Sequence, residues 1–265
     1  MSGLTVIKCG GSTMAQLPAA FFHAIAELQR HGHRLVMVHG GGPAINAMLQ
    51  KLNIPPQFVD GLRVTCEQTM DVVEMVLAGS INKQLVRRLS QAGAKAWGAS
   101  GLDAGLLKAT LTTKPLGLVG EHLQVDPALV FAILENGCVP VLAPLAADIV
   151  SGQVLNVNAD AAAGAIAASL GAERLVLVTD VPGILQPHPT SGQELLAETD
   201  AEHIARLIET GVIYGGMIPK VQSALDALAQ GVQHVVICRG TAEDLYRICS
   251  GQPAGTAIRG GVRSK

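Results

Sequence analysis

The sequence predicts an α/β fold in which a mainly parallel sheet is covered by helices on both faces. Short apolar runs rich in β-branched residues, typical of buried strands, recur at residues 4–7, 34–38, 139–142, 175–178 and 234–237. Helical periodicity fills several of the intervals, with apolar stripes formed by Leu17, Phe21, Ile25 and Leu28 and by Ile218, Val221, Leu225 and Leu228. Strands that alternate with helices in this way indicate parallel pairing through crossover helices.

Two glycine-rich turns follow the first two predicted strands. They read K-C-G-G-S from Lys8 and H-G-G-G-P from His39. Glycine lets backbone N–H groups crowd around an anion, and a lysine adds a full positive charge. In open parallel sheets ligands bind beyond the carboxyl ends of the strands, which is where Lys8, His39 and Asp180 fall. The pattern favours a phosphate held between two strand-to-helix turns, and therefore a phosphotransferase.

The middle of the chain is less regular. Residues 114–120, with a proline and two glycines, precede a short run at 121–125, which predicts a hairpin or a small antiparallel patch beside the main sheet. No internal repeat, low-complexity tract or linker is visible. We therefore expect a single domain over 1–265, with two functional halves, 1–172 and 173–265, that meet near residues 169–173.

Composition excludes several classes of function. The chain has 265 residues, 49% hydrophobic, a formal charge of −2 and only 3% aromatic residues, so it offers neither the basic face nor the stacking aromatics of a nucleic-acid-binding protein. Its five scattered cysteines contain no C-x-x-C pair, which favours reduced thiols. The longest near-apolar run, 161–172, is well short of the ~20 residues of a membrane span. We expect a soluble cytoplasmic protein without a membrane or nucleic-acid partner.

The glycine turns do not match the common nucleotide-binding fingerprints. The sequence has no G-x-x-x-x-G-K-[ST], and no G-x-G-x-x-G follows a strand. An H-G-G-G turn can build the oxyanion hole of an esterase, but the G-x-S-x-G nucleophile elbow is missing. We therefore expect Gly41 and Gly42 to offer their amides to a carboxylate or a phosphoryl group, and His39 to be a structural hydrogen-bonding residue.

Two further segments carry polar side chains suited to an anionic ligand. Arg63, in G-L-R-V-T at 61–65, could bind a carboxylate in a bidentate manner, although a surface arginine is an equal alternative at this point. The segment N-V-N-A-D at 156–160 leads into a helix of small residues. Its alternate polar positions could face a cleft, or Asp160 could simply complement the helix dipole.

Lys220 is predicted in the first turn of another helix. Gly215 and Gly216 precede this helix and Pro219 fits its first turn. A lysine at the positive end of a helix is unfavourable unless an anion lies nearby. In a phosphotransferase, a carboxylate between Lys220 and Lys8 would orient both cations.

Six motifs, taken in order, resemble those of the amino acid kinase family over essentially the whole chain. They are K-C-G-G-S at 8–12, H-G-G-G-P at 39–43, G-L-R-V-T at 61–65, N-V-N-A-D at 156–160, T-D-V-P-G-I-L at 179–185 and G-G-M-I-P-K at 215–220. The resemblance implies a three-layer α/β/α fold with an open, mainly parallel, eight-stranded sheet sandwiched between helices. It is strongest to members that phosphorylate the side-chain carboxylate of N-acetyl-L-glutamate with ATP and Mg²⁺ in arginine biosynthesis.

The resemblance also implies roles for individual residues. Lys8 and Lys220 would stabilise the transferring phosphoryl group from opposite sides, and Asp160 would hold both lysines. The acyl amino acid would bind in the N-terminal half to Gly41, Gly42, Arg63 and Asn156, with Arg63 on the α-carboxylate. The nucleotide and its phosphates would bind Gly10, Gly11, Asp180, Val181, Pro182, Gly183, Ile184, Leu185, Val212, Ile213 and Tyr214. No protein metal site is implied, because Mg²⁺ would accompany ATP.

The resemblance also leads to expectations about the oligomeric state and the substrate. The first strand begins by Leu4, without room for the extra N-terminal helix of arginine-inhibited hexameric relatives, so we expect a homodimer without arginine feedback. One alternative is a sibling kinase acting on carrier-linked aminoadipate, aspartate, carbamate or UMP, but the motifs around Arg63 and Asn156 favour an acylated amino acid. The other is a non-catalytic amino-acid-binding module, disfavoured because both lysines and Asp160 are present.

Overall fold

A computed structural model describes residues 3–188 and 192–260 of the chain. The helices are Gly11–Met14 (α1), Ala19–Arg30 (α2), Gly42–Lys51 (α3), Glu67–Glu74 (α4), Asn82–Gln91 (α5), Ala128–Glu135 (α6), Ala159–Ser169 (α7), Ala201–Glu209 (α8), Met217–Ala229 (α9) and Ala242–Cys249 (α10). A π-helical segment, Met75–Ile81, joins α4 to α5, and a 3₁₀ turn spans Asp103–Gly105.

The strands fall into one large sheet and three smaller ones. They are Leu4–Cys9 (β1), Arg34–His39 (β2), Phe58–Val59 (β3), Leu62–Arg63 (β4), Ala96–Ser100 (β5), Leu107–Leu111 (β6), Gly120–Val125 (β7), Val139–Ala143 (β8), Leu145–Asp148 (β9), Val154–Asn156 (β10), Arg174–Val178 (β11), Leu185–His188 (β12), Gly192–Leu195 (β13), Glu198–Asp200 (β14), His234–Cys238 (β15) and Thr256–Arg259 (β16).

The large sheet has eight strands in the order β14-β16-β15-β11-β1-β2-β8-β5. Its pairs are parallel except for β15 with β16. This confirms the predicted open, mainly parallel sheet. The strands from residues 1–172 lie on one side of the β1–β11 pairing and those from 173–265 on the other, so the two halves of the chain meet at the centre of the sheet.

Helices cover both faces because side chains alternate along the buried strands. On β1, Ile7 and Cys9 join a core with α2, α5 and α10, whereas Val6 joins the opposite core with α7 and α9. The result is the predicted three-layer α/β/α arrangement. Lys8 alternates with Ile7 and Cys9, and therefore points toward the α7 face.

The predicted elements form with small shifts. All five predicted strands are present, and β1 and β2 continue to Cys9 and His39. The apolar stripe predicted for α9 is wrong at Ile218, whose side chain is exposed. The buried face instead carries Val221, Ala224 and Ala227. Small side chains there let α9 pack closely on α7.

The predicted antiparallel patch is also present and is larger than expected. Strands β6 and β7 pair antiparallel, β9 adds to β6 in parallel, and β10 pairs antiparallel with β9. The result is a mixed four-stranded sheet in the order β10-β9-β6-β7. Two hairpins, β3–β4 and β12–β13, complete the described part of the chain. Within that part, no helix has the length and apolar character needed to cross a membrane.

Candidate active site

Two lysines and a carboxylate from three separate elements meet at the carboxyl edge of the sheet. Lys8 Nζ on β1 lies 2.7 Å from Asp160 Oδ1, and Lys220 Nζ on α9 lies 3.6 Å from Asp160 Oδ2. Asp160 occupies the first turn of α7, where its charge also complements the helix dipole. Sequence positions 8, 160 and 220 thus converge because α7 and α9 pack together beneath β1.

The charge balance of this triad favours an anionic ligand. Lys8 and Asp160 are 4% and 7% exposed, and Lys220 is partly accessible. Burial lowers the pKa of Lys8; the Asp160 carboxylate acts against this effect and the Lys220 ammonium adds to it. Two cations share one carboxylate, so a further negative group beside them would relieve their repulsion.

The two glycine turns press against each other next to the triad. A Cβ on Gly11 would lie 2.8 Å from the backbone nitrogens of both Gly41 and Gly42, so only glycine fits there. Gly41 in turn packs beneath the side chains of Leu77 and Ile81, where a Cβ would collide. Helix α3 begins at Gly42 and presents its positive end to the same place.

A cavity of about 470 Å³ opens on the Lys8 side of the triad. Its walls come from both glycine turns, the β3–β4 hairpin, β7 and the start of α7. Among the residues that line it are Lys8, Gly11, Gly41, Gly42, Arg63, Asn156 and Asp160. We call this the first cavity. The structure therefore brings the predicted substrate-binding residues together around one space.

Arg63 is a buried cation in the wall of the first cavity. Its Nη2 donates to Asn46 Oδ1 at 2.6 Å and to the Gly42 carbonyl at 3.3 Å, and its Cζ lies 4.8 Å from the Phe58 ring centroid. Its buried Nη1 has no hydrogen-bond partner. No acidic residue within the described ranges pairs with this guanidinium, whose pKa burial lowers. Such a group is suited to a carboxylate of a ligand.

The amide side chains of the N-V-N-A-D segment take different roles. Asn156 lines the first cavity and donates from Nδ2 to Thr65 Oγ1 at 3.1 Å, which fixes its orientation. Asn158 also lines this cavity and caps α7 as well, accepting from the backbone of Asp160 at 2.8 Å and of Ala161 at 3.1 Å. The alternate polar positions 156, 158 and 160 therefore all face one cleft, as the sequence predicts, and the middle one is also the helix cap.

His39 is a buried structural residue behind the second glycine turn. Asn82 Nδ2 donates to His39 Nε2 at 3.3 Å, which leaves Nδ1–H to donate to the Gly40 carbonyl at 3.1 Å. Burial lowers the pKa of His39 to about 4, so the ring is neutral at physiological pH. This confirms the structural interpretation of His39.

A second cavity, of about 520 Å³, opens on the Lys220 side of the triad. Its walls come from the loop after β11, the segment before α9, and Ser12. It includes the predicted nucleotide-binding residues Asp180, Val181, Gly183, Ile184, Leu185, Val212, Ile213 and Tyr214. We call this the second cavity. Pro182 and Gly10 line neither cavity, and Gly10 is the N-cap of α1.

The sequence analysis assigns no role to several residues around the site. Asn46 holds Arg63, Thr65 holds Asn156, and residues 120–123 of β7 line the first cavity. Asn46 falls on an ordinary amphipathic helix, and only the proximity of Arg63 in the fold reveals its contact. No group of three or more His, Cys, Asp or Glu side chains suited to a metal ion occurs within the described ranges.

The sequence and the fold were both compared with those of known proteins, and the matches agree on one family. The profile of the amino acid kinase family matches residues 3–239. Acetylglutamate kinase from Brevibacillus brevis is 62% identical over 98% of this chain and 98% of its own length, and that from Geobacillus kaustophilus is 48% identical over 98% and 97%. The crystal structure of smu.665 from Streptococcus mutans is 33% identical, covers 98% of this chain and 99% of its own, and superposes with a TM-score of 0.85. The chain belongs to the amino acid kinase family.

Proposed function

We propose that this chain transfers the γ-phosphoryl group of ATP to the side-chain carboxylate of N-acetyl-L-glutamate. The products are ADP and N-acetyl-L-glutamyl 5-phosphate. The observation that carries the proposal is the Lys8–Asp160–Lys220 triad between two cavities. One cavity is lined by Arg63, which has no acidic partner among the described residues, and the other by most of the T-D-V-P-G-I-L motif. The 62% identity to an acetylglutamate kinase over nearly the full chain supports this substrate.

The first cavity suits a small dicarboxylate with an acylated nitrogen. Arg63 would bind the α-carboxylate, and Asn156 would bind the acetamido group. The amides of Gly41 and Gly42, at the start of α3, would hold the carboxylate that is phosphorylated. Two cations at fixed positions, Lys8 and Arg63, select a ligand by the distance between its two carboxylates, which separates N-acetyl-L-glutamate from shorter acids, and the contact with the acetamido group separates it from free glutamate.

The second cavity suits the nucleotide. The segments 180–185, except Pro182, and 212–214 would surround the base and ribose. The Gly11 amide, which lines the first cavity beside the triad, would contact the phosphates where the two cavities meet. Mg²⁺ bound to ATP supplies charge neutralisation between the β- and γ-phosphates. Lys8 reaches the transferring group from the first cavity and Lys220 from the second.

Catalysis in this arrangement is alignment and charge neutralisation. A carboxylate is already a nucleophile at neutral pH, so no general base is needed. A carboxylate and a phosphate about 4 Å apart repel by roughly 4 kcal/mol per pair of charges at an effective dielectric constant of 20. The lysine ammonium groups and the glycine amides offset this repulsion as the two groups approach. Asp160 holds the lysines in position without contacting the phosphoryl group.

The test is phosphorylation of a panel of acceptors. ADP release from Mg·ATP is measured with N-acetyl-L-glutamate, glutamate, N-acetylaspartate, aspartate, carbamate and UMP, and trapping with hydroxylamine detects the acyl phosphate. We expect strong turnover with N-acetyl-L-glutamate alone. Preference for another acceptor would make the chain a sibling kinase, and no turnover with any acceptor would make it a binding module.

We also propose that the chain acts as a homodimer in the cytoplasm and serves arginine biosynthesis. Its five cysteines are free thiols, as expected in a reducing compartment. The sheet ends at β5, an edge strand on which Trp97 is 58% exposed, and this edge offers a surface to a second copy. Light scattering tests the dimer: a monomer at micromolar concentration would contradict it.

A further inference from the structure

We propose that Asn46 is a positioning residue for substrate recognition. Its Oδ1 holds the Arg63 guanidinium in the wall of the first cavity, in an orientation that binds the α-carboxylate of the acyl amino acid. The inference rests on the proposed function, because that carboxylate belongs to the proposed substrate. Asn46 contributes through Arg63 and does not itself contact the ligand.

The hydrogen bonds of Arg63 carry the inference. Nη2 has two hydrogens, and it has two acceptors: Asn46 Oδ1 at 2.6 Å and the Gly42 carbonyl at 3.3 Å. The shorter bond is the one to Asn46. Both acceptors belong to the first turns of α3, so the guanidinium is anchored to the helix whose N-terminus faces the cavity. The buried Nη1 is left without a partner.

Without Asn46, Arg63 would keep only the longer hydrogen bond to the Gly42 carbonyl, at 3.3 Å, and the contact with Phe58. Phe58 lies on the face of the guanidinium, at 4.8 Å from Cζ, but its own side chain is 50% exposed on a two-residue strand. A ring contact of this kind leaves rotation in the guanidinium plane unrestricted. The bond to Asn46, at 2.6 Å the shorter of the two that Nη2 makes, is therefore the main constraint on the orientation of the guanidinium.

The Asn46 side chain is neutral, and this matters for the charge of Arg63. An amide oxygen accepts a hydrogen bond from the guanidinium without cancelling its charge. A carboxylate in the same position would pair with Arg63 and compete with the ligand. Asn46 therefore orients the cation and leaves its full charge available to the substrate.

The test separates this role from a general structural one. Asn46→Ala is compared with Gln50→Ala, which removes an exposed amide from the same helix. In Asn46→Ala we expect the KM for N-acetyl-L-glutamate to rise about 10- to 100-fold, as for loss of a hydrogen bond to a charged group, with kcat and the KM for ATP changed less than about 3-fold. Gln50→Ala should match the unsubstituted protein.

A substrate analogue and a second variant show that the effect passes through Arg63. 4-Acetamidobutanoate keeps the acetamido group and the reacting carboxylate but has no α-carboxylate, so its inhibition constant should be equal in the unsubstituted protein and in Asn46→Ala. Adding Asn46→Ala to Arg63→Gln should cause no further rise in KM.

Equal weakening of both ligands, additive effects in the double variant, or an unchanged KM in Asn46→Ala would each overturn the inference. No turnover of N-acetyl-L-glutamate by the unsubstituted protein would instead overturn the proposed function, and the α-carboxylate contact with it.

Discussion

The two cavities begin at the same sheet edge but are built differently. In the first cavity these polar groups are buried or partly buried and are already held: Arg63 by Asn46, Asn156 by Thr65, and Lys8 by Asp160. In the second, Asp180 and Tyr214 are exposed, and the walls come largely from loops. A small charged acid needs fixed partners, whereas a large nucleotide can complete a more open site. Substitutions should therefore be costly at the triad and milder toward the second cavity.

The largest effect is expected where the two cavities meet. Lys8→Ala or Lys220→Ala removes a cation beside the proposed position of the transferring group, and each should lower kcat about 10²- to 10³-fold, the scale of losing one preorganised donor. The measurement is steady-state ADP release with both substrates saturating. Lys51→Ala, which removes an exposed lysine at the end of α3, is the control. More than a tenth of the original kcat in either variant would contradict the assigned role.

A second prediction concerns the contact between the glycine turns. Gly11→Ala would place a Cβ 2.8 Å from two backbone nitrogens, so the turns must move apart. Their amides would then lose alignment with the anion that we propose they bind. We expect kcat/KM for N-acetyl-L-glutamate to fall about 10²-fold, as seen for small misplacements of catalytic groups. Gly79→Ala is the control, because its Cβ would meet open space. Similar activity of the two variants would show that the close approach is dispensable.

A third prediction tests the rigid support of the first cavity through pH. The pKa of His39 falls from 6.5 to about 4 on folding, so between these values the unfolded chain binds the extra proton. Titration of His39 therefore does not change the free energy of unfolding above about pH 6.5. As the pH falls from there to about 4, it lowers this free energy by roughly 3 kcal/mol. Denaturant unfolding from pH 4.5 to 7.5 should show this slope, which His39→Gln should reduce.

The control for the pH experiment is His23→Gln, in which an exposed histidine is replaced. This variant should keep the slope of the unsubstituted protein. An unchanged slope in His39→Gln would mean that the imidazole is protonated within the folded protein. The bond from Asn82 to Nε2 would then be lost in that state.

The residues predicted from the sequence are those whose local pattern carries chemical meaning. Lys8 stands out because a lysine between a buried strand and two glycines is unusual, and Lys220 because it sits at the positive end of a helix. The parallel sheet followed from apolar runs alternating with helical periodicity. These signals are local in the sequence, so the order of strands and helices along the chain could be predicted without the structure.

The features that the sequence did not predict depend on tertiary contacts. Asn46 belongs to a helix that looks like any other, and Arg63 gives it a role only after the β3–β4 hairpin folds over α3. Ile218 fits the apolar period of α9, yet it is exposed, because alanines form the face that packs on α7. Periodicity predicts that a helix has an apolar face but does not identify which neighbour sets its orientation.

The smallest effect is expected at the open end of the second cavity. Tyr214 lines this cavity while its side chain is 75% exposed, so its ring is available to an adenine base without rearrangement of the core. Loss of one aromatic contact in Tyr214→Ala should raise the KM for ATP about 5- to 20-fold. The KM for N-acetyl-L-glutamate should not change, and Tyr214→Phe should retain the original values because the ring supplies the contact.

The matched control for this experiment is Tyr246→Phe, which alters the chain's other tyrosine, paired with Glu27 away from both cavities. Saturation curves for each substrate distinguish the outcomes. A rise in the KM for N-acetyl-L-glutamate as large as that for ATP would mean that the two cavities respond as one unit. An effect confined to ATP would show that the open cavity tolerates the loss of a wall residue while the charged junction with the first cavity keeps its geometry.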